Sequence, residues 1–249
     1  MKKQPPKDNA IFGIRAILES IHSGKEIDKL FIQKQLGNPL IKELIGLAKS
    51  HGIPMASVPI EKLNRITRKN HQGAIAFVSA VQYSSLDNII SETYQKGKEP
   101  LLLLLDRVTD VRNFGAIVRS AECAGVNGII IPSKGGAAVN SDAMKTSAGA
   151  LNYVPICRSD NLKSTIHYLK SSGIKVVGCT EKTDQLIYDT DFQGPVCIIM
   201  GSEEDGISSE YLKLCDARGK IPITGNVESL NVSVSCGIIL FEALRQKQL

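Results

Sequence analysis

The sequence has 249 residues, enough for one large domain or for a small domain and a medium one. Its 43% hydrophobic and 22% charged residues exclude a disordered chain, and no apolar run reaches membrane-spanning length. The net charge of +5 is compatible with a polyanionic partner, although many proteins of this balance bind no nucleic acid. We expect no secretory signal, and six cysteines without a C-x-x-C pair predict a reduced, cytoplasmic protein.

The first third of the chain, from about Ile11 to Val81, predicts a compact α/β unit. Its helices are expected over 13–22 and from Pro39 to about Gly52, and its strands over 29–33, 53–58 and 73–81. The polar segment that follows predicts one exposed helix and then a linker. We therefore divide the chain into a first domain at 8–81, a linker at 82–99 and a second domain at 100–249.

The second domain alternates apolar runs with helical patterns, which predicts a parallel sheet covered on both faces. The expected strands are Leu101–Leu105, Gly128–Ile131, Lys175–Cys179 and Val196–Met200, and the expected helices are Asn113–Ala124, Asn161–Ser172 and Ser229–Gln246. Ligand sites of such sheets lie beyond the carboxyl ends of the strands. The turns there contain no phosphate-binding glycine motif, no G-x-S-x-G elbow and no Cys or His pairs at metal-ligand spacing, so we expect no metal.

Three stretches of the second domain concentrate polar residues. In "NFGAIVRSAECAG", Asn113 is a candidate helix cap, and Arg119 is either a solvated charge or, between small and apolar residues, a functional one. In "IIMGSEEDGIS", Gly201 allows a ligand to approach the backbone, while Glu203 follows a strand end in what could also be an acidic turn. In "SLNVSVS", Ser229 can cap a helix, yet the alternation could equally form a strand.

Together these stretches resemble, in order, the three signature motifs of the SpoU (TrmH) family of RNA 2′-O-ribose methyltransferases. "IFGIRAILESI" and "HQGAIAFV" are similar to the family's substrate-binding domain, which has a ribosomal-protein-like fold. The resemblance covers nearly the whole chain. It implies an α/β SPOUT domain with a mostly parallel sheet and a deep trefoil knot, a homodimer paired through the last helix, and S-adenosylmethionine as the cofactor. The domain arrangement most resembles members that methylate a guanosine in bacterial 23S rRNA.

The resemblance also implies roles for individual residues. The catalytic centre would contain five side chains: Asn113, Arg119, Glu203, Ser229 and Asn231. Loop backbone would hold the cofactor at Thr180, Gly201, Ile221 and Leu230. The chain departs from the family after Glu203, where many relatives have Gly and then Glu but this sequence has Glu204 and Asp205.

Arg119 is the family's usual general base, but a guanidinium with a pKa above about 12 rarely loses its proton. We therefore favour electrostatic stabilisation of the developing alkoxide, together with a phosphate contact. The basic segment with Arg65, Arg68 and Lys69 either reads RNA or is a solvated loop. A tRNA or another rRNA position, a non-catalytic RNA-binding assembly protein and a small-molecule enzyme remain the alternative functions.

Overall fold

The computed structural model describes residues 10–227 and 229–248 and contains two compact units. The first unit comprises the described residues up to Gln82 together with Ala138–Asp142, and the second comprises Tyr83–Ala137 and the described residues from Ala143 onward. Among the described residues no helix is long and apolar enough to cross a membrane.

The first unit is a four-stranded sheet with three helices. Its elements are β1 (Ala10–Phe12), α1 (Ile14–His22), β2 (Ile27–Gln33), α2 (Pro39–Ser50), β3 (Met55–Val58), α3 (Ile60–Ile66) and β4 (Ala74–Val78). The strand order is β1-β4-β2-β3, with only the β2–β3 pair parallel. Side chains alternate along β2, so Leu30 joins the core with α1 and α2, while Phe31 joins a smaller core with Leu63 of α3. The predicted helices and strands of this unit are confirmed.

The "HQG" segment between α3 and β4 is a structural turn. His71 bonds through Nε2 to Asn64 Oδ1 at 2.9 Å and accepts from Gly73 N–H through Nδ1 at 3.0 Å. Gln72 Oε1 accepts the backbone N–H of Ile14 at 3.3 Å and so satisfies a free donor at the start of α1. This motif therefore stabilises the first unit by joining three of its elements.

The second unit is a six-stranded, fully parallel sheet with helices between the strands. Its elements are α4 (Leu86–Gln95), β5 (Leu101–Leu105), α5 (Val111–Cys123), β6 (Gly128–Pro132), α6 (Ser141–Thr146, whose first two residues belong to the first unit), β7 (Ile156–Ser159), α7 (Leu162–Ser171), β8 (Lys175–Cys179), β9 (Val196–Met200), α8 (Ser209–Leu212), β10 (Ala217–Gly219) and α9 (Val232–Gln248). The strand order is β10-β8-β9-β5-β6-β7. All five leucines of β5 are buried, as expected for a central strand covered on both faces.

The predicted α/β class with a parallel sheet is confirmed, and so are the four predicted strands of this unit. The edge strands β7 and β10 were not predicted, because "ICRS" and "ARG" are short and contain charged or polar residues. The deep trefoil knot that the family resemblance implies stays a prediction.

The segment predicted as an exposed helix and linker differs from the structure. Within it, α4 buries Ile89 and Ile90 in the core of the second unit, against strands β5 and β6. Ile89 lies so close to Gly128 that a Cβ there would approach its Cγ2 to 2.7 Å. The apolar pair was overlooked because polar residues dominate the rest of this helix. The helix is therefore an integral part of the second unit.

The six cysteines are all free thiols, and three of them are buried as expected of small hydrophobic residues. Burial raises the pKa of Cys157 and of Cys215 to about 11, and that of Cys236 to about 12. These thiols stay protonated and unreactive at neutral pH. Cys123, at the end of α5, is exposed instead.

Candidate functional site

Three distant segments of the second unit meet at the side chain of Asn231. Its Nδ2 donates to Oδ1 of Asn113 at 3.1 Å and to Oε1 of Glu203 at 2.7 Å. The structure thus brings together one residue from each of the three signature stretches. A bond to a carboxylate is among the stronger side-chain hydrogen bonds, so this cluster holds a defined geometry.

The N-terminus of α5 places Asn113 in this cluster. The predicted cap at Asn113 is wrong, because the cap is Asp110, whose Oδ1 accepts from the N–H of Arg112 at 2.8 Å and of Asn113 at 3.0 Å. A carboxylate is well suited to this position because it also opposes the positive end of the helix dipole. Asn113 therefore lies in the first turn, with its side chain available for Asn231.

Asn231 also caps the N-terminus of α9, which starts at the next residue. Its Oδ1 accepts the backbone N–H of Ser233 at 2.9 Å, two residues ahead, as a capping residue does. Ser229 was predicted to cap or begin this helix, and that prediction is wrong. The strand alternative for this segment is wrong as well. The segment forms a helix despite its weak helix propensity because one helical face is buried: Val232, Cys236 and Ile239 all lie in the interior.

Two neighbouring cavities lie beside this cluster. The larger of the two, about 550 Å³, lies at the carboxyl ends of the parallel strands, as predicted. It contains loop residues that follow β8, β9 and β10, and the segment before α9. The lining includes every residue predicted to hold the cofactor: Thr180, Gly201, Ile221 and Leu230. Glu203 and Ser229 from the predicted catalytic set lie on the same wall, whereas Lys182 and Ile223 are lining residues that the sequence did not single out.

A smaller cavity of about 240 Å³ adjoins the same loop. It is lined by Asn113 and Asp110 of the α5 region, by Arg107 after β5, and by the loop that contains Glu203. Glu203 and Val232 line both cavities. Of the Asn231 cluster, Glu203 therefore lies where the two cavities meet, and Asn113 lines the smaller one.

The structure does not bring Arg119 into this cluster. It is exposed on α5 and lines neither cavity. Within the described part of the chain, no hydrogen bond or ion pair engages its guanidinium. In a single chain, Arg119 is therefore a solvated surface charge. Within the same described part, no group of three or more His, Cys, Asp or Glu residues could hold a metal ion.

Comparison with known proteins agrees with the motifs. The pattern of the SpoU rRNA Methylase family matches residues 100–241, and the pattern for RNA 2′-O ribose methyltransferase substrate binding matches residues 10–84. The chain is 34% identical over 239 residues to the 23S rRNA (guanosine-2′-O-)-methyltransferase RlmB of Pseudomonas aeruginosa, covering 95% of this chain and 96% of the relative. It is 32% identical over 237 residues to YacO of Bacillus subtilis, named for the TrmH family of tRNA/rRNA methyltransferases, covering 95% of each.

A solved structure shares the fold. The SpoU methyltransferase AviRb from Streptomyces viridochromogenes, in complex with the cofactor AdoMet, matches with a TM-score of 0.60 and 26% identity, covering 95% of this chain and 89% of that chain. The resemblance inferred from the motifs is confirmed. The chain belongs to the SpoU family of RNA 2′-O-ribose methyltransferases, whose cofactor is S-adenosylmethionine.

Proposed function

We propose that the chain methylates the 2′-hydroxyl of a guanosine in 23S rRNA, with S-adenosylmethionine in the larger cavity and the acceptor nucleotide in the smaller one. The observation that carries this proposal is the bonding of Asn231 to Asn113, which lines the smaller cavity, and to Glu203, which lines both cavities. A methyl donor and an acceptor on either side of one rigid cluster have the arrangement that transfer between them requires.

The larger cavity fits the cofactor in size and in chemistry. Its volume of about 550 Å³ lies within the range of small-molecule sites. Ile223 and Leu230 line it although they are 44% and 42% exposed, so a planar base between them would cover apolar surface. The charged residues Glu181 and Lys182 also line this cavity and suit the charged amino-acid end of S-adenosylmethionine. When bound, S-adenosylmethionine supplies the methyl group as an activated sulfonium.

Side chains around the smaller cavity are proposed to orient the acceptor ribose. Asn113 and Glu203 line the smaller cavity and can orient a ribose hydroxyl by hydrogen bonding, while Asn231 fixes both of them. Ser229, on the wall of the larger cavity, positions the cofactor. The reaction class requires no metal, because the cofactor would supply a methyl group that is already activated, and the hydroxyl proton would pass to solvent.

Arg119 fits a phosphate contact better than a role as general base. Arginine side chains in general rarely lose a proton in proteins, so they are poor general bases. The exposed position of Arg119 outside both cavities of one chain leaves it open to the backbone of an RNA that extends beyond the bound nucleotide, or to a site completed by a second chain. Arginine binds phosphate oxygens through two parallel hydrogen bonds, which would hold the acceptor strand in register.

The first unit is the proposed reader of the RNA. Arg65, in the last turn of α3, and Arg68 and Lys69 after this helix are exposed, and they add positive charge to one segment of the chain. Lys62 lies 4.8 Å from the ring centroid of the buried Phe31, and Lys69 lies 5.7 Å from that of Phe12, so cation–ring contacts orient both side chains. Exposed cations clustered in this way suit the phosphates of single-stranded or looped RNA.

The functional form is a proposed homodimer paired through α9. Val234 and Phe241 lie two turns apart on this helix and are each 50% exposed, and the half-buried Ile238 lies between them. Spacing of four and three residues puts these side chains on one stripe, which is typical of a helix–helix seam. The neighbouring Ile239 points into the unit, where it is buried.

The test is methyl transfer by the purified protein from S-adenosylmethionine with a deuterated methyl group. Fragments that cover 23S rRNA and total tRNA are offered separately, and nucleosides are analysed by mass spectrometry. We expect labelled 2′-O-methylguanosine from the rRNA fragments only. Label in tRNA alone would contradict the proposed target, and label in neither RNA would contradict the proposed reaction and favour a non-catalytic RNA-binding protein.

A further inference from the structure

The loop after β9 is folded tightly back on itself. Ser202 N–H donates to Gly206 O at 3.1 Å and Gly206 N–H donates to Ser202 O at 3.0 Å, which closes the loop around Glu203. The Gly206 backbone then packs directly on Gly201, where a Cβ would come within 2.0 Å of the carbonyl carbon of Gly206. The positions of Gly201 and Glu203 are therefore set by where the Gly206 end of the loop is held.

Arg107 holds that end of the loop. Its Nη1 donates to Asp205 Oδ2 at 2.8 Å, and its Nη2 donates to the backbone oxygen of Gly206 at 3.2 Å. The two contacts span 98 and 99 residues of sequence and connect the end of β5 with the loop after β9. A guanidinium presents several donors in a fixed plane, so it can bind a carboxylate and a carbonyl at once.

The backbone and the neighbours of Arg107 fix its direction. Arg107 has a φ of 58°, a left-handed conformation that costs about 1 kcal/mol for a residue with a side chain. Buried Asp106 contacts the guanidinium at 3.1 Å and also accepts from the N–H and the hydroxyl of Ser208. Lys182, from the loop after β8, adds a bond to the backbone oxygen of Asp205 at 3.1 Å.

We propose, on the basis of the function proposed above, that Arg107 is a positioning residue that fixes the cofactor loop through Asp205 and Gly206. It acts on Gly201, in the wall of the larger cavity, and on Glu203, in the wall that both cavities share. Asp205, one of the two positions at which this chain departs from the family pattern, is its acidic partner. Glu204 does not take part in this contact and instead lines both cavities.

The test uses Arg107→Gly in the full-length protein. Glycine adopts the left-handed backbone without cost, so this variant removes the side chain and keeps the fold. Arg107→Lys retains the charge but not the planar pair of donors. The matched control is Lys163→Ala, which removes an ion pair of the same 2.8 Å length, to Glu210, elsewhere in the second unit.

Three measurements are made on each protein. Amide hydrogen exchange reports on the loop, because the N–H groups of Ser202, Asp205 and Gly206 are all bonded within it. Titration calorimetry gives the Kd for S-adenosylmethionine, and steady-state kinetics separate the KM for cofactor from kcat. For Arg107→Gly we expect loop exchange and Kd each to rise about tenfold, with α7 exchange unchanged. Arg107→Lys should lie between Arg107→Gly and the wild type, and the control should match the wild type.

The outcomes separate this inference from the proposed function. Unchanged loop exchange, or equal acceleration throughout the second unit, would overturn the positioning role of Arg107. Faster loop exchange with an unchanged Kd would overturn it too, since the loop would then not govern the cofactor site. A wild type that binds no S-adenosylmethionine would contradict the proposed function, and loop exchange would still decide whether Arg107 fixes the loop.

Discussion

The side-chain amide of Asn231 donates to Glu203 at 2.7 Å, and the same side chain caps α9. One residue thus links the start of a helix to a carboxylate between the two cavities. We therefore expect stability and catalysis to be coupled at this position, and substitutions that keep only one of the two contacts of the amide should separate them.

Asn231→Asp keeps the capping oxygen but replaces the donor to Glu203 by a second carboxylate. We expect kcat/KM to fall at least about tenfold, because the bond to a charged group is lost and like charges meet. The free energy of unfolding should change less than in Asn231→Ala, which also loses the cap and about 1 kcal/mol. Denaturant titration and methyl-transfer kinetics check this. Equal stability of the two variants would show that the cap contributes nothing.

Arg119→Ala should lower kcat/KM for RNA about a hundredfold and leave the Kd for S-adenosylmethionine within a few-fold of the wild type. The reason is that Arg119 lines neither cavity and is proposed to hold the RNA phosphate. The control is Arg112→Ala, another exposed cation of α5. A folded Arg119→Ala protein that no longer bound the cofactor would mean that this residue serves the other side of the site.

Phe241→Asp should convert the protein to a monomer with a native circular dichroism spectrum. A carboxylate at this end of the α9 stripe would be buried without a partner on association. Light scattering at micromolar concentration measures the mass. Tyr94→Asp, at a ring that is 45% exposed on α4, is the control and should leave the dimer intact. A wild type that is itself a fully active monomer would contradict the proposed pairing.

Replacing Arg68 and Lys69 by Ala should weaken RNA binding and reduce the slope of log K against log salt by about 1.5 to 2. The Kd for S-adenosylmethionine should stay unchanged, because the cavity lies within the second unit. Filter binding at several salt concentrations gives the slope. Lys42 and Lys49, exposed on α2, provide the matched double variant. The same loss from both pairs would indicate a general effect of charge.

The sequence predicted the central strands because strands buried on both faces are continuous apolar runs, as in Leu101–Leu105. It also placed Thr180 and Gly201 at strand ends, and these residues line one cavity. The helix caps were misplaced because Asp110 and Asn113 are both good capping residues one turn apart. The structure distinguishes them, because Asp110 accepts the N–H groups of the first turn while Asn113 accepts the long-range bond from Asn231.

The contacts of Arg107 could not be predicted for a different reason. Its partners, Asp205 and Gly206, lie about a hundred residues away, and its left-handed backbone occurs in a residue type that rarely adopts one. The burial of Ile89 and Ile90 was equally hidden, because two apolar residues in a polar helix do not reveal which surface they will meet. Local patterns specify elements, whereas these features depend on tertiary contacts.

The central claim is that this chain transfers a methyl group to a ribose in RNA. The most direct measurement is mass-spectrometric mapping of ribose methylation in total rRNA and tRNA from a strain that lacks the gene, with re-expression of the wild type or of Asn231→Ala. We expect one 2′-O-methylguanosine of 23S rRNA to disappear, to return with the wild type and to stay absent or strongly reduced with the variant. Unchanged ribose methylation in every rRNA and tRNA of the deletion strain would contradict the account.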